Sequence, residues 1–205
     1  MIQKHLLHIG LPHTATSWLW QQVRSNFDGT FIKEPKTLFN EQDIVEYMLP
    51  YADTKISANF NVDQYQHDSG IVKYLSDIAT HISISLRNPH EILESRTRRG
   101  LHDGGPMEII EHFRLAEYAR ICKRWDGTKP FKVLMYDDLL QDAQTYLNDY
   151  CAFAGITVAS CQTKRVNVSD QSIAIDIPND CRTLLNNGIK EFEDYIQRDL
   201  SHWLR

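Results

Sequence analysis

The apolar run His5 to Ile9 breaks at Gly10-Leu11-Pro12, and a helical pattern begins only four residues later, at Thr16. From Thr16 to Phe27 the residues Leu19, Trp20, Val23 and Phe27 recur at i, i+1, i+4 and i+8, which is one face of an α-helix. A short buried strand, a tight loop and a helix in that order form the first half of a βαβ unit. Such a unit commits a chain to a parallel sheet whose two faces are covered by helices.

The pattern repeats along the chain. Thr30 to Ile32 and Lys55 to Phe60 read as short strands, and Glu41 to Met48 and Ile71 to Ala79 as helices. His81 to Arg87 alternates Ile82, Ile84 and Leu86 with Ser83, Ser85 and Arg87, a period of two that marks a strand. Asn88 then suits an N-cap, Pro89 the first turn, and Glu91 the third position of a capping box. Gly100 to Pro106 reads as a glycine-rich loop and Met107 to Trp125 as one long amphipathic helix. Phe131 to Met135 reads as a buried strand, Asp142 to Ala154 as a helix, and Pro178 to Leu204 as helical through most of its length. The expectation is an α/β three-layer sandwich with a central parallel sheet, built as a single domain over residues 1–205.

Composition narrows the function classes. The 205 residues carry a formal net charge of −5, which argues against general nucleic-acid binding. Cys122, Cys151, Cys161 and Cys181 are widely spaced, without the CxxC or Cys/His pattern of a zinc site. They read as reduced, mostly buried thiols, and the opening MIQKHLLHIGLP has too short an apolar run for a signal peptide or a membrane span. A cytoplasmic protein without a membrane span is expected.

In a parallel sheet, ligands sit beyond the carboxyl ends of the strands. That rule directs attention to Gly10 to Ser17, to Lys33-Glu34 and to Arg87 to Ser95. At the first of these, the free N–H groups of a helix N-terminus can hold an oxyanion, with the Thr16 and Ser17 hydroxyls beside them. The small residues Thr14 and Ala15 let the backbone approach it. Against a GxxxxGK[ST] loop, Gly10 fits the first glycine, but Ala15 stands at the second and Thr16 at the lysine, so a kinase or ATPase reading lacks its main charge. Taken alone, the segment is equally a Thr/Ser-capped helix start without a ligand.

The string Pro12-His13-Thr14-Ala15-Thr16-Ser17-Trp18 resembles the 5'-phosphosulfate loop of sulfotransferases, roughly PK-x-G-[ST]-[ST]-W, at Pro12, Thr16, Ser17 and Trp18. Leu86 to Ser95 resembles that family's LRNPxExxxS pattern. The resemblance implies a P-loop-like nucleotide-binding topology and 3'-phosphoadenosine-5'-phosphosulfate (PAPS) as sulfuryl donor, with 3'-phosphoadenosine 5'-phosphate (PAP) as product and no metal. It also implies that Thr16 and Ser17 touch the 5'-phosphate, that Trp18 packs near the adenine, and that Arg87 and Ser95 hold the 3'-phosphate. Arginine suits that task as a permanent, bidentate donor. Two positions depart: His13 stands where the family has lysine, and Ala15 where it has glycine, a mild change wherever the backbone φ is negative.

Phe31-Ile32-Lys33-Glu34-Pro35-Lys36 resembles the KEP or KE-x-H stretch of glycan-type and many bacterial members, which assigns Glu34 as general base. Lys33 or Lys36 would then stabilise the sulfuryl oxygens or bind an acidic acceptor. The bland alternative for Glu34 is a solvated loop carboxylate. His8, His102 and His112 are further candidate bases, and Arg96, Arg98 and Arg99 either line the acceptor side or are surface. Lys132 to Leu139 resembles a buried family strand ending in Y-x-D-L, and Lys164 to Ser169 resembles the RxN stretch that precedes the last helix, while a KGR-like loop is absent. The acceptor, a hydroxyl or amine on a carbohydrate, a lipid-linked group or a small alcohol, stays open. A degenerate PAP-binding protein without transferase activity is the competing class, and a P-loop kinase the third.

Overall fold

The computed structural model describes residues 4–11, 13–26, 30–33, 56–61, 69–98, 100, 105–127, 129–157 and 175–205. They fall into two compact units, Met1–Leu86 with Arg124–Val166, and Arg87–Lys123 with Asn167–Arg205.

The first unit holds the sheet. Its strands are β1 (Lys4–Gly10), β2 (Thr30–Lys33), β3 (Ile56–Asn61), β4 (His81–Leu86) and β5 (Phe131–Met135). They run in the order β2-β3-β1-β4-β5, and every pairing is parallel. The sheet is the α/β arrangement expected from the alternating pattern, with β1 at its centre. Because β1 leads to β2 on one side and β4 pairs on its other side, the end of β1 is a topological switch point, where such sheets bind ligands.

Helix α1 (Thr16–Asn26) follows β1, and α2 (Ser69–Ile78) precedes β4. Leu6 of β1 and Leu134 of β5 pack with Trp18, Leu19 and Val23 of α1 and with Tyr146, Leu147, Tyr150, Cys151 and Ala154 of a later helix. That later helix, Ala143–Ala154, is capped at both ends. Asp142 accepts hydrogen bonds from the backbone N–H groups of Gln144 and Thr145 at 3.0 and 3.1 Å, and Lys4 Nζ donates to the Ala154 carbonyl at 2.7 Å. Both faces of β1 and β4 are buried, as a parallel sheet requires.

The second unit is helical: α3 (Pro89–Arg98), α4 (Pro106–His112), the start of α5 (Tyr118–Trp125), then α8 (Asn179–Ile196) and a 3₁₀ turn at Ser201–Trp203; α6 (Tyr136–Gln141) and α7 (Ala143–Ala154) belong to the first unit. Tyr118, Phe192 and Trp203 form its aromatic centre, with Phe192 edge-on to Tyr118 at 5.6 Å and stacked on Trp203 at 6.3 Å.

Two sequence expectations are corrected here. The single helix over Met107 to Trp125 is two helices. Phe113 caps α4, Arg114 turns left-handed at φ 49°, and the N–H groups of Arg114 and Leu115 close on the Glu111 and Ile110 carbonyls, a Schellman stop. The break brings Ala116 against Gly188, where a Cβ would lie 2.3 Å from the Ala116 carbonyl oxygen. Second, Tyr136 to Leu139 is not the end of a strand: β5 stops at Met135 and α6 starts at Tyr136. Ser83 and Ser85, the polar half of the alternating strand, are both buried. The helix read at Glu41 to Met48 lies outside the described residues.

Candidate functional site

The loop that joins β1 to α1 leaves the carboxyl end of the strand at Gly10. Gly10 is glycine for a steric reason: a Cβ there would lie 2.0 Å from Thr16 Oγ1 and 3.2 Å from Thr14 Oγ1. Thr14 Oγ1 donates to the Leu11 carbonyl at 2.7 Å, which ties the loop across its own neck. His13 and Ala15 both adopt left-handed backbone, at φ 66° and 65°. Ala15 therefore does not meet the condition under which alanine substitutes mildly for glycine, since an L-residue in this region costs about 1–2 kcal/mol. Its methyl offsets part of that by packing against the Trp18–Tyr146 cluster.

Helix α1 makes its first backbone bond from Leu19 N–H to the Ala15 carbonyl, at 3.0 Å. The N–H groups of Thr16, Ser17 and Trp18 therefore lie at the open end of the helix, where its dipole favours an anion. Thr14 and Thr16 are buried, and His13 and Ser17 are half-buried. The Thr16 hydroxyl lies 3.4 Å from the Thr14 hydroxyl, inside the loop. Trp18 is 6 % exposed and meets Tyr146 edge-on at 6.0 Å, so its indole anchors the helix in the core. Pro12 and Glu34 lie outside the described residues, as do Lys36, Arg99 and His102. Lys33 closes β2, opposite Phe60 of β3.

Beneath the loop lies a polar network that the sequence did not signal. His8 Nδ1 is 2.8 Å from Ser83 Oγ and its Nε2 3.0 Å from Ser85 Oγ, and Ser85 Oγ is 3.2 Å from the Tyr146 hydroxyl. Burial pushes the His8 pKa down to about 3. A neutral, enclosed imidazole with both nitrogens engaged is a structural group, which removes His8 from the candidate bases. The signal missed was its place on a strand buried on both faces.

The second unit carries Arg87 to Ser95 of the LRNPxExxxS motif. Asn88 is the N-cap as read, accepting from His90 N–H at 3.0 Å. Glu91 does not complete a capping box. Its Oε2 instead accepts from Arg87 Nε and pairs with Nη2, each at 2.7 Å. The Tyr118 hydroxyl donates to the Arg87 carbonyl at 3.0 Å, and Ser95 is 3 % exposed. Arg96 lies over the Phe113 ring at 4.2 Å, and Arg98 pairs with Glu94 at 3.3 Å. His112 ends α4 with its ring against Phe113. Glu91 and Tyr118 are thus partners of Arg87 that the sequence reading did not assign, although an acid four residues after an arginine is a legible helix-pair spacing.

No family model matches the chain, and no curated protein matches it by sequence. Solved structures do. A sulfotransferase from Alicyclobacillus acidocaldarius superposes with a TM-score of 0.69 at 19 % identity, covering 100 % of both chains. The sulfotransferase domain of the Synechococcus PCC 7002 olefin synthase gives 0.64 at 14 % identity, covering 97 % of this chain and 96 % of that one. Mouse sulfotransferase SULT7A1, solved with PAP, gives 0.55 at 14 % identity, covering 94 % and 68 %. The chain has the sulfotransferase fold, a P-loop-like α/β architecture. Among the described residues, no helix is long and apolar enough to cross a membrane.

Proposed function

We propose that this chain is a cytoplasmic, PAPS-dependent sulfotransferase, acting as a single domain on a hydroxyl or amine of a small-molecule or carbohydrate acceptor. The observation that carries the reading is the phosphate loop itself, where Gly10 and Thr16 fit against each other at the open end of α1 and at the switch point of the sheet. The likeness to sulfotransferases over the full chain supports it, as does the complex of one of them with PAP.

The residues fit the donor's chemistry element by element. Backbone donors of Thr16, Ser17 and Trp18, with the Thr16 and Ser17 hydroxyls, suit the 5'-phosphate. Thr14 holds the loop neck beside Ala15, and Pro12 belongs to the same motif. Arg87 and Ser95 suit the 3'-phosphate. When bound, the donor supplies an activated sulfuryl group. Glu34, the residue after β2, takes the acceptor's proton, and Lys33 offsets negative charge on the sulfuryl oxygens. Protonated His13 offsets the charge that develops at the 5'-phosphate, in place of lysine.

Calorimetric titration with PAP and with ATP, on the native chain and on Arg87→Ala, tests the reading. Selective PAP binding that Arg87→Ala abolishes supports it, and an acceptor screen follows. PAP binding without sulfuryl transfer to any acceptor favours the non-catalytic alternative. Equal or stronger binding of ATP overturns the donor assignment.

A further inference from the structure

Beside Arg87 and Ser95, the two residues the family motif assigns to a phosphate, the helix that follows β4 carries Glu91. Arg87, Glu91 and Ser95 are spaced four apart, so they follow one face of α3 and its entry. Glu91 contacts the guanidinium through a single oxygen that takes both Nε and Nη2 at 2.7 Å. A side-on contact to those two nitrogens fixes the plane of the guanidinium and the direction of its Nη1 donors, because rotation about the last side-chain bonds would break both bonds at once. The backbone at Arg87 is held as well, by the Tyr118 hydroxyl on its carbonyl. The Arg87 side chain is 19 % exposed and that of Glu91 38 %, so the pair is partly shielded from solvent.

We infer that Glu91 is a positioning residue for Arg87: it orients the guanidinium for a phosphate monoester on the nucleotide's ribose and so sets the preference for a 3'-phosphorylated nucleotide. This deepens the proposed function and rests on it. A long arginine side chain that is not held must lose its rotamer freedom on binding, and holding it beforehand removes that cost. The carboxylate also repels the incoming phosphate, so orientation and repulsion act in opposite directions. Orientation dominates, because the side-on contact places the negative charge on the far edge of the guanidinium from the Nη1 donors.

The experiment compares adenosine 3',5'-bisphosphate with adenosine 5'-monophosphate by calorimetry on the native chain, Glu91→Ala, Glu91→Gln and Arg87→Ala. The native chain is expected to prefer the bisphosphate. Glu91→Ala should cut that preference about tenfold or more while the monophosphate affinity stays within about twofold. Glu91→Gln keeps an acceptor oxygen for Nε and should retain part of the preference. A preference unchanged or increased in Glu91→Ala overturns the inference and leaves the PAP reading standing, provided Arg87→Ala still abolishes the preference. No preference in the native chain overturns both. Thermal melts of the variants separate misfolding from lost recognition, and Glu91→Gln keeps the side-chain shape should Glu91→Ala unfold.

Discussion

Thr16 Oγ1 occupies the space above Gly10 that any side chain would need, with only 2.0 Å between it and a Cβ built there. Gly10→Ala therefore forces the Thr16 hydroxyl to rotate away or the loop to shift. If Thr16 donates to the nucleotide as proposed, binding should suffer more than folding: affinity for PAP is expected to fall at least about tenfold, with a modest loss of thermal stability. Titration alongside a melting curve checks this. Unchanged affinity would mean that Thr16 does not face the nucleotide.

The Ser85 hydroxyl joins His8 to Tyr146 at 3.0 and 3.2 Å in a buried setting. Ser85→Ala leaves the His8 Nε2 and the Tyr146 hydroxyl short of a partner, and an unsatisfied buried polar group costs about 1–3 kcal/mol. Urea denaturation should show that loss. A change under about 0.5 kcal/mol would place a compensating group or solvent in the network.

Stability should fall on acidification well before the carboxylates titrate. Burial holds His5 at about 4 and His8 at about 3, below an ordinary histidine. The folded chain thus refuses protons that the unfolded chain accepts below pH ~6.5, so lower pH favours unfolding. The loss begins near the unfolded pKa and is complete only below the folded values. At pH 5 it amounts to about 2 kcal/mol per histidine. Burial lowers His90 and His81 in the same direction. Denaturation midpoints between pH 7.5 and 5 measure this, and a flat profile would mean that these imidazoles are hydrated.

Gly188 of α8 faces the turn between α4 and α5 so closely that a Cβ would lie 2.3 Å from the Ala116 oxygen and 2.7 Å from its Cα. Backbone cannot rotate aside as a side chain can. Gly188→Ala is expected to destabilise the second unit by about 1–3 kcal/mol despite alanine's better helix propensity. A stability gain, read by chemical denaturation, would refute the close approach.

Much of this was legible in the primary structure. The strands around His5 to Ile9, His81 to Leu86 and Phe131 to Met135 could be read because each is a short run with buried apolar residues between turn formers. The Asn88 cap and the loop after Gly10 could be read because their constraints are local: a side chain bonds an amide two residues away, and a helix starts where a strand stops. The alternation of elements directed attention to the carboxyl ends of the strands, where a parallel sheet opens its crevice.

Distant contacts decided the rest. The amphipathic pattern runs unbroken through Phe113 to Glu117, so nothing local announced a stop there; α8 imposes it by bringing Gly188 against Ala116. His8 read as a possible base because a histidine near a phosphate loop is chemically plausible; partners 75 and 77 residues away made it a buried neutral strut. Glu91 read as a cap and became the arm that holds Arg87. Which segments extend, coil or turn, and which motifs they carry, can be read along the chain, because those depend on neighbours in sequence. Which polar groups face one another cannot, because burial and pairing depend on neighbours in space.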